Sequence, residues 1–498
     1  MNYYSTRDTE KKTPFSSSHA IIKGLAPDGG LFMPERIPSV TKEDILNLCN
    51  KTYAERAASI LSKYLEDFTY EELLEDCQKA YSFEKFGPDP AKTVKIREGL
   101  YTLELWHGPT AAFKDMALQI MPRLLCRALA KEKETMHPLI LVATSGDTGK
   151  AALEGYRDLD GISIMVFYPV DGVSRVQKLQ MATQEGGNVN VCAIRGNFDD
   201  AQTGVKNIFA DPAFSLLLKK RNVFLSSANS INWGRLAPQI VYYISAYCDL
   251  LNQKALSFGD PMDITVPTGN FGNIFAAYLA KRMGVPIGRL VCASNLNHVL
   301  TDFIRTGVYD RNRAFHTTMS PSMDILISSN LERLLYLIAG SERTCGYMQQ
   351  LKAKGRYQVE PDILARIQAE FTACYATEED TSRVIHDFFE KEGYLSDTHT
   401  AVALHAACEF LQKKTQAPCM LVASTASPYK FAADVYHSLF PDEEKPESLS
   451  ALSLLSGRTN TEITYPLRNL DKKPIRFKSD IDCSDMEDEI ARFTERFS

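Results

Sequence analysis

The sequence has no CxxC pair, and the nearest two of its eleven cysteines, Cys408 and Cys419, stand eleven positions apart. That spacing suits neither a zinc cluster nor a disulfide framework. Thiols in apolar runs such as Val291-Cys292-Ala293 read as small buried hydrophobes, and no metal site is expected. Apolar runs long enough to span a bilayer are missing too; the one around Ile140 is far too short. The opening residues, MNYYSTRDTEKK, are polar with no apolar segment behind them, so no secretory or transit signal is visible and a cytoplasmic location is expected. Basic excess is absent: 56 Lys and Arg against 62 Asp and Glu give a net charge of −6, with no general attraction to nucleic acid or an anionic membrane. A small anionic substrate would need a local site. No GxGxxG follows a strand with an acidic residue suitably downstream, which disfavours a dinucleotide-binding dehydrogenase.

What is present is ordinary in bulk, with 44% hydrophobic and 24% charged residues, as in soluble globular proteins. At 498 residues the chain should divide into two or three packed units. Its first ninety or so residues show short helical patterns and a turn-rich stretch from Gly24 to Pro38. From Pro138 onward, apolar β-rich runs (139–143, 162–168, 189–194, 223–225, 264–267 and 290–294) alternate with helical segments. That alternation indicates α/β architecture, parallel sheets covered on both faces. Residues from about 297 to 415 read almost wholly as helix, an insertion before one more strand at 420–423. The tail after Pro441 reads as charged and irregular.

Ligands of open parallel sheets lie beyond the carboxyl ends of the strands, where loops lead into helices. Three such loops stand out. In PTGNFGN, Pro267 to Asn273, Gly269 and Gly272 let the backbone approach closely, and the amides of the next helical turn suit a dianionic phosphate. A tight turn without ligand explains the loop equally well. In TSGDTG, Thr144 to Gly149, the hydroxyls of Ser145 and Thr148 beside a helix N-terminus could clamp a carboxylate, while Asp147 fits helix capping. In HGPTAAFKDMALQ, Lys114 sits among apolar neighbours after a Gly-Pro turn. Loss of hydration there lowers a lysine's pKa and frees the neutral amine for imine formation. SSANSINWGR adds Ser227, Asn229, Ser230, Asn232 and Arg235, a donor set for a phosphate monoester or a polar helix cap. Together these are the parts needed to hold pyridoxal phosphate and an amino acid. His107, Asp397, His399 and Thr400 read as supporting residues.

HGPTAAFKD, TSGDTG, SSANSINWGR, PTGNFGN and STASPYKF, in that order, together with YYSTR and GLAPDGGLFMPERIP near the start, resemble threonine synthases of the bacterial and fungal type. The resemblance runs from residue 3 to about 436. It implies the tryptophan synthase beta-like fold (fold type II): two parallel-sheet domains with flanking helices, a mostly helical N-terminal unit and a helical insertion. Residues 1–94 would form the N-terminal unit. Residues 95–135 with 255–440 would form the larger, cofactor-binding domain, 136–254 the smaller substrate domain, and 441–498 a tail.

The resemblance also implies pyridoxal 5'-phosphate on Lys114, with Gly269, Asn270, Phe271, Gly272 and Asn273 as its phosphate loop and Thr425 on the pyridine nitrogen. Ser145, Asp147 and Thr148 fall in the substrate-carboxylate loop. The implied activity is that of a lyase acting on phosphate, turning O-phospho-L-homoserine and water into L-threonine and phosphate, in a monomer or homodimer. The rivals are a phospho-lyase that releases 2-oxobutyrate and a phosphometabolite-binding relative without chemistry. Two residues depart from the family pattern: Ser427 stands where STAHPxKF has histidine, and Lys150 follows TSGDTG where a small residue is usual.

Overall fold

The computed structural model describes residues 1–144, 146–170, 173–413 and 419–497. Its larger sheet has six strands in the spatial order Phe371–Tyr375, Ile287–Ser294, Met262–Pro267, Cys419–Ser424, Leu100–Glu104 and Lys92–Arg97. All neighbours pair in parallel except the last two, which are antiparallel. The smaller sheet runs Asp480–Ile481, Val189–Ile194, Ser163–Pro169, His137–Ala143 and Val223–Ser226, parallel throughout. Parallel neighbours require crossover helices, which cover both faces and leave the central strands buried along their length. Met262–Pro267 and Cys419–Ser424 are buried at every residue. The expected α/β fold with two parallel sheets is thus the one observed.

The N-terminal unit contains an antiparallel pair, Tyr3–Ser5 with Phe32–Pro34, and several short helices. Three of these open on reciprocal caps, Thr41 with Asp44, Thr52 with Glu55 and Thr69 with Glu72, each satisfying otherwise orphaned backbone donors. Two of them, Lys42–Cys49 and Tyr53–Leu61, pack on the long helix Trp233–Asn252, whose other side meets Gly272–Arg282. Trp233, Val241, Tyr242, Ala246 and Leu250 put buried side chains all round that long helix, as an interior helix demands. Polar ties fix its register: Arg56 Nη1 lies 2.6 Å from Asp249 and 2.7 Å from Ser245 Oγ, and Asn232 Nδ2 donates to Ile21 O at 2.8 Å. The 136–254 boundary groups this helix with the smaller sheet, yet it packs with the N-terminal unit and the larger sheet's helices.

Two segments differ from expectation. The stretch 297–415 carries strands as well as helices: Val308–Asp310 pairs with Arg356–Gln358, and Phe371–Tyr375 forms an edge of the larger sheet. That edge strand follows the helix Pro361–Glu370 without a glycine or proline between them, so nothing in the sequence punctuates the change of period. The tail is also structured. Its helix Ser448–Thr459 places Ala451, Leu452 and Leu455 in the core beside Val422 of the larger sheet. Farther on, Asp480–Ile481 extends the smaller sheet, and Met486, Ile490 and Phe493 fill that sheet's core with Leu139 and Phe167.

The helix that begins at Asp147 touches the short helix after Lys114 through Gly155. A Cβ at Gly155 would lie 1.9 Å from the Leu118 carbonyl oxygen. Gly155→Ala is therefore expected to separate the two helices and to cost about 2–3 kcal/mol in denaturant unfolding. Gly346→Ala, in the helix Ser341–Lys354 with open space around it, is expected to gain up to about 1 kcal/mol from helix propensity.

Candidate active site

Loops from both sheets converge at the carboxyl ends of their strands. Lys114 follows Leu100–Glu104, Gly269 to Phe271 follow Met262–Pro267, Thr425 follows Cys419–Ser424, and Thr144 follows His137–Ala143. The Lys114 loop is zipped to the loop after Ser424: Phe113 N donates to Thr425 O at 2.8 Å and Ser427 N to Ala111 O at 3.1 Å. Lys114 is thereby held beside the buried Thr425.

Lys114 Nζ lies 3.4 Å from Asp147 Oδ2 and 3.3 Å from Ser322 Oγ. Burial lowers its pKa; Asp147 opposes the shift, while Lys430 and Arg235 add to it. Asp147 stands first in its helix and is almost fully buried. Burial works to raise its pKa, but Lys430 and Lys114 outweigh that and hold the carboxyl well below its ordinary range. Lys430 Nζ is 2.9 Å from Asp147 Oδ1 and donates to Thr110 O at 2.7 Å. Gln177 Nε2 donates to the same Oδ1 at 2.8 Å. Gly146 makes room for this arrangement: its φ is +136°, and a Cβ there would lie 2.5 Å from the Gln177 amide.

In the glycine loop, Phe271 takes the left-handed conformation at φ 63° as N-cap of Gly272–Arg282, a strain of about 1–2 kcal/mol. Its ring is buried near Phe371, 5.6 Å between centroids, so its backbone is the part available to a ligand. A Cβ at Gly269 would sit 3.0 Å from Ser322 O, and one at Gly272 3.2 Å from Asn330 Nδ2. Asn270 is exposed. Asn273 Oδ1 accepts from the hydroxyls of Tyr242 and Tyr243 at 2.7 and 2.6 Å, while its Nδ2 is buried without a partner.

Arg235 is buried, with Nη1 on Ala228 O at 2.9 Å and Nε unpartnered. Burial pulls its pKa down to about 10, and no carboxylate among the described residues pairs with it. Other members of SSANSINWGR are less available. Asn232 is spent capping its helix and holding Ile21, Asn229 is exposed with its N–H on Ser227 Oγ, and the Ser230 carbonyl accepts from Asn330. Thr148 is half-buried in the first turn of its helix, and Ser145 lies outside the described residues. His107 pairs with Glu104 at 2.8 Å rather than with Lys114.

Sequence reasoning missed three contributors. Lys430 lies inside STASPYKF, Gln177 completes an S-x-x-Q cap with Ser174, and Ser322 sits in a proline turn within the segment read as helical. Of the two departures, Lys150 pairs with Glu154 at 3.2 Å and with Gln184, and Ser427 caps the turn at Tyr429 while its hydroxyl meets Thr464 of the tail. Among the described residues no group of three or more His, Cys, Asp or Glu could hold a metal ion. A phosphate-bearing aldehyde cofactor fits what is present: a buried amine of lowered pKa, a glycine-opened helix N-terminus, and buried donors on Asn273 and Arg235 that lack partners.

Comparison with known proteins agrees. The family model for pyridoxal-phosphate dependent enzymes matches residues 88–423, that for the threonine synthase N terminus residues 2–81, and that for the threonine synthase C-terminal region residues 400–463. "Threonine synthase-like 1" of Homo sapiens is 42% identical over 88% of this chain, which spans only 60% of that protein's length. Threonine synthase of Pseudomonas aeruginosa is 38% identical, covering 86% of this chain and 89% of the relative. The crystal structure of PLP-bound threonine synthase from Brucella melitensis superposes with a TM-score of 0.87 at 35% identity, covering 99% of each chain.

Asp147→Asn would leave Lys430 buried without its counter-charge, an expected loss of about 3–5 kcal/mol, much of it recovered in the double variant with Lys430→Met. Denaturant unfolding of the two single variants and the double variant checks the coupling. Asp115 offers a pH test. Burial raises its pKa to about 6 despite hydrogen bonds from Thr110. The folded chain thus holds this proton more tightly than the unfolded one, so the group favours folding below its ordinary pKa and that contribution is lost as pH rises through about 6. In stability measured against pH, Asp115→Asn is expected to flatten the fall between about 4 and 6.

Proposed function

The chain belongs to the threonine synthase family of pyridoxal-phosphate dependent enzymes, and we propose that it converts O-phospho-L-homoserine and water to L-threonine and phosphate. The observation that carries this reading is the presence together of two cations: a buried amine of lowered pKa, Lys114, and a buried guanidinium, Arg235, that no carboxylate among the described residues neutralises. Lys114 suits attachment of the cofactor, and Arg235 suits a substrate dianion.

When bound, pyridoxal phosphate supplies an electron sink for the pair left at Cα once its proton departs. Lys114 would hold the cofactor aldehyde, with the amides of Gly272 and Asn273 at the helix N-terminus facing its phosphate and Thr425 hydrogen-bonded to its ring nitrogen. Lys114 Nζ would be the base beside Cα and would then carry protons at Cβ and Cγ. Arg235 would bind the γ-phosphate and steady it as it leaves, with Ser227, Asn229 and Ser230 as further donors. Thr148 and Ser145 would hold the substrate carboxylate. Asp147 does not bind that carboxylate itself, because its own charge is committed to Lys114 and Lys430; it keeps two lysines in one dry site. We place the reaction in the cytoplasm.

Incubation of the purified protein with O-phospho-L-homoserine is expected to yield threonine and phosphate. 2-Oxobutyrate and phosphate would favour the phospho-lyase, and no turnover the inactive relative named above. Lys114→Ala is expected to abolish both turnover and the visible absorption band of bound cofactor; a variant that kept both would sink the assignment.

A further inference from the structure

Ser322 belongs to none of the motifs that point to the site, yet it touches three of the site's parts. Its Oγ accepts from Lys114 Nζ at 3.3 Å and donates to Asp147 Oδ2 at 3.4 Å. Its carbonyl oxygen is the atom against which a Cβ at Gly269 would press, at 3.0 Å. Its own N–H donates to His399 Nε2 at 3.2 Å. Because Nε2 accepts, the imidazole proton lies on Nδ1, facing Asp397 Oδ1 at 3.1 Å. Asp397 is fully buried and also caps the helix Thr398–Leu411, so the ring is anchored to a rigid element.

The turn that carries Ser322 is clamped from its other side. Asp324 accepts from Thr318 N at 2.9 Å and Thr318 Oγ1 at 2.7 Å, and from the side-chain amides of Asn295 and Asn297 at 2.8 and 3.0 Å. A serine on a loose surface turn would contribute little to the placement of a lysine. This one is fixed through its backbone by one buried network and flanked by a second.

We propose that Ser322 is a positioning residue for Lys114: its hydroxyl fixes where the amine lies whenever the amine is not joined to cofactor, and the Asp397–His399 pair fixes Ser322. The proposal rests on Lys114 being the cofactor lysine. The hydroxyl lies beside the direct contact of the amine with Asp147, accepting from one and donating to the other, so it also braces that ion pair. The charged groups facing Lys114 from neighbouring elements are Asp147, Lys430 and Arg235; Ser322 is the neutral member of the set.

The test is the pH dependence of Lys114 acetylation by acetic anhydride in the full-length, cofactor-free chain, read by mass spectrometry. Removing a hydroxyl that accepts from the ammonium is expected to lower the labelling midpoint by about one pH unit in Ser322→Ala. In the holoenzyme, kcat is expected to fall about tenfold with little change in KM. Ser322→Thr is expected to restore the midpoint. His399→Ala, which leaves the hydroxyl but removes its anchor, is expected to lower kcat in the same sense. Should Ser322→Ala fold poorly, Ser322→Cys replaces it, with the same midpoint shift expected from the weak sulfur acceptor. A midpoint that stays at the wild-type value in folded Ser322→Ala or Ser322→Cys overturns the proposal, whatever happens to kcat, since a purely structural role would not move it. Wild-type protein that takes up no pyridoxal phosphate would overturn the reading of Lys114 itself; uptake with an unmoved midpoint overturns the role of Ser322 alone.

Discussion

Two lysines share one carboxylate. Lys114 and Lys430 both point at Asp147, and all three side chains are almost wholly withdrawn from water. Burying a lone ammonium costs several kcal/mol, and two side by side would repel as well. Asp147 makes the arrangement possible, and its position on the first turn of a helix adds the favourable end of the helix dipole. The surroundings follow from the need to hold this carboxylate: Gly146 bends so that Gln177 can reach it, Gly155 brings its helix against the one after Lys114, and the turn of Ser322 closes over it. The chemistry proposed for Lys114 needs an amine that is close to neutral yet fixed in place. A single carboxylate shared by two cations leaves it that way more readily than a private ion pair would.

Much of this is legible in the sequence. The near-continuous apolar runs located the central strands, because a strand covered on both faces is mostly apolar along its whole length. Glycine and proline marked the loops, and the order of five short motifs identified the family. What stayed hidden has a physical reason in each case. The strand Phe371–Tyr375 follows a helix with no breaker, so periodicity alone could not part them. Ser322 reaches Lys114 across 208 positions, and a serine in a turn has no signature until the fold brings its partner near. Asn232 looked like a ligand donor because capping and anion binding call for the same side chain; the carbonyl of Ile21 decided between them.

The two departures from the family pattern also fall into place through their contacts. Lys150 turns away from the substrate loop toward Glu154 and Gln184, adding a tie between its helix and the next without altering the site's charge. Ser427 is buried against the tail, where its hydroxyl meets Thr464 and its neighbour Tyr429 bonds to Thr461 at 2.8 Å. In this chain the position joins the loop beside Lys114 to the C-terminal segment.

That segment changes the mechanics of the whole molecule. The chain first crosses from the larger sheet to the smaller along the helix Met121–Lys131, returns along Trp233–Asn252, and crosses again through the tail, which is packed into the larger sheet's core at Leu455 and into the smaller sheet's at Ile490. Two ropes between two plates leave a door free to swing; a third adds a brace. Relative movement of the two sheets would therefore have to strain three connections rather than two, the third running through residues 460–478 between the tail's two packed ends.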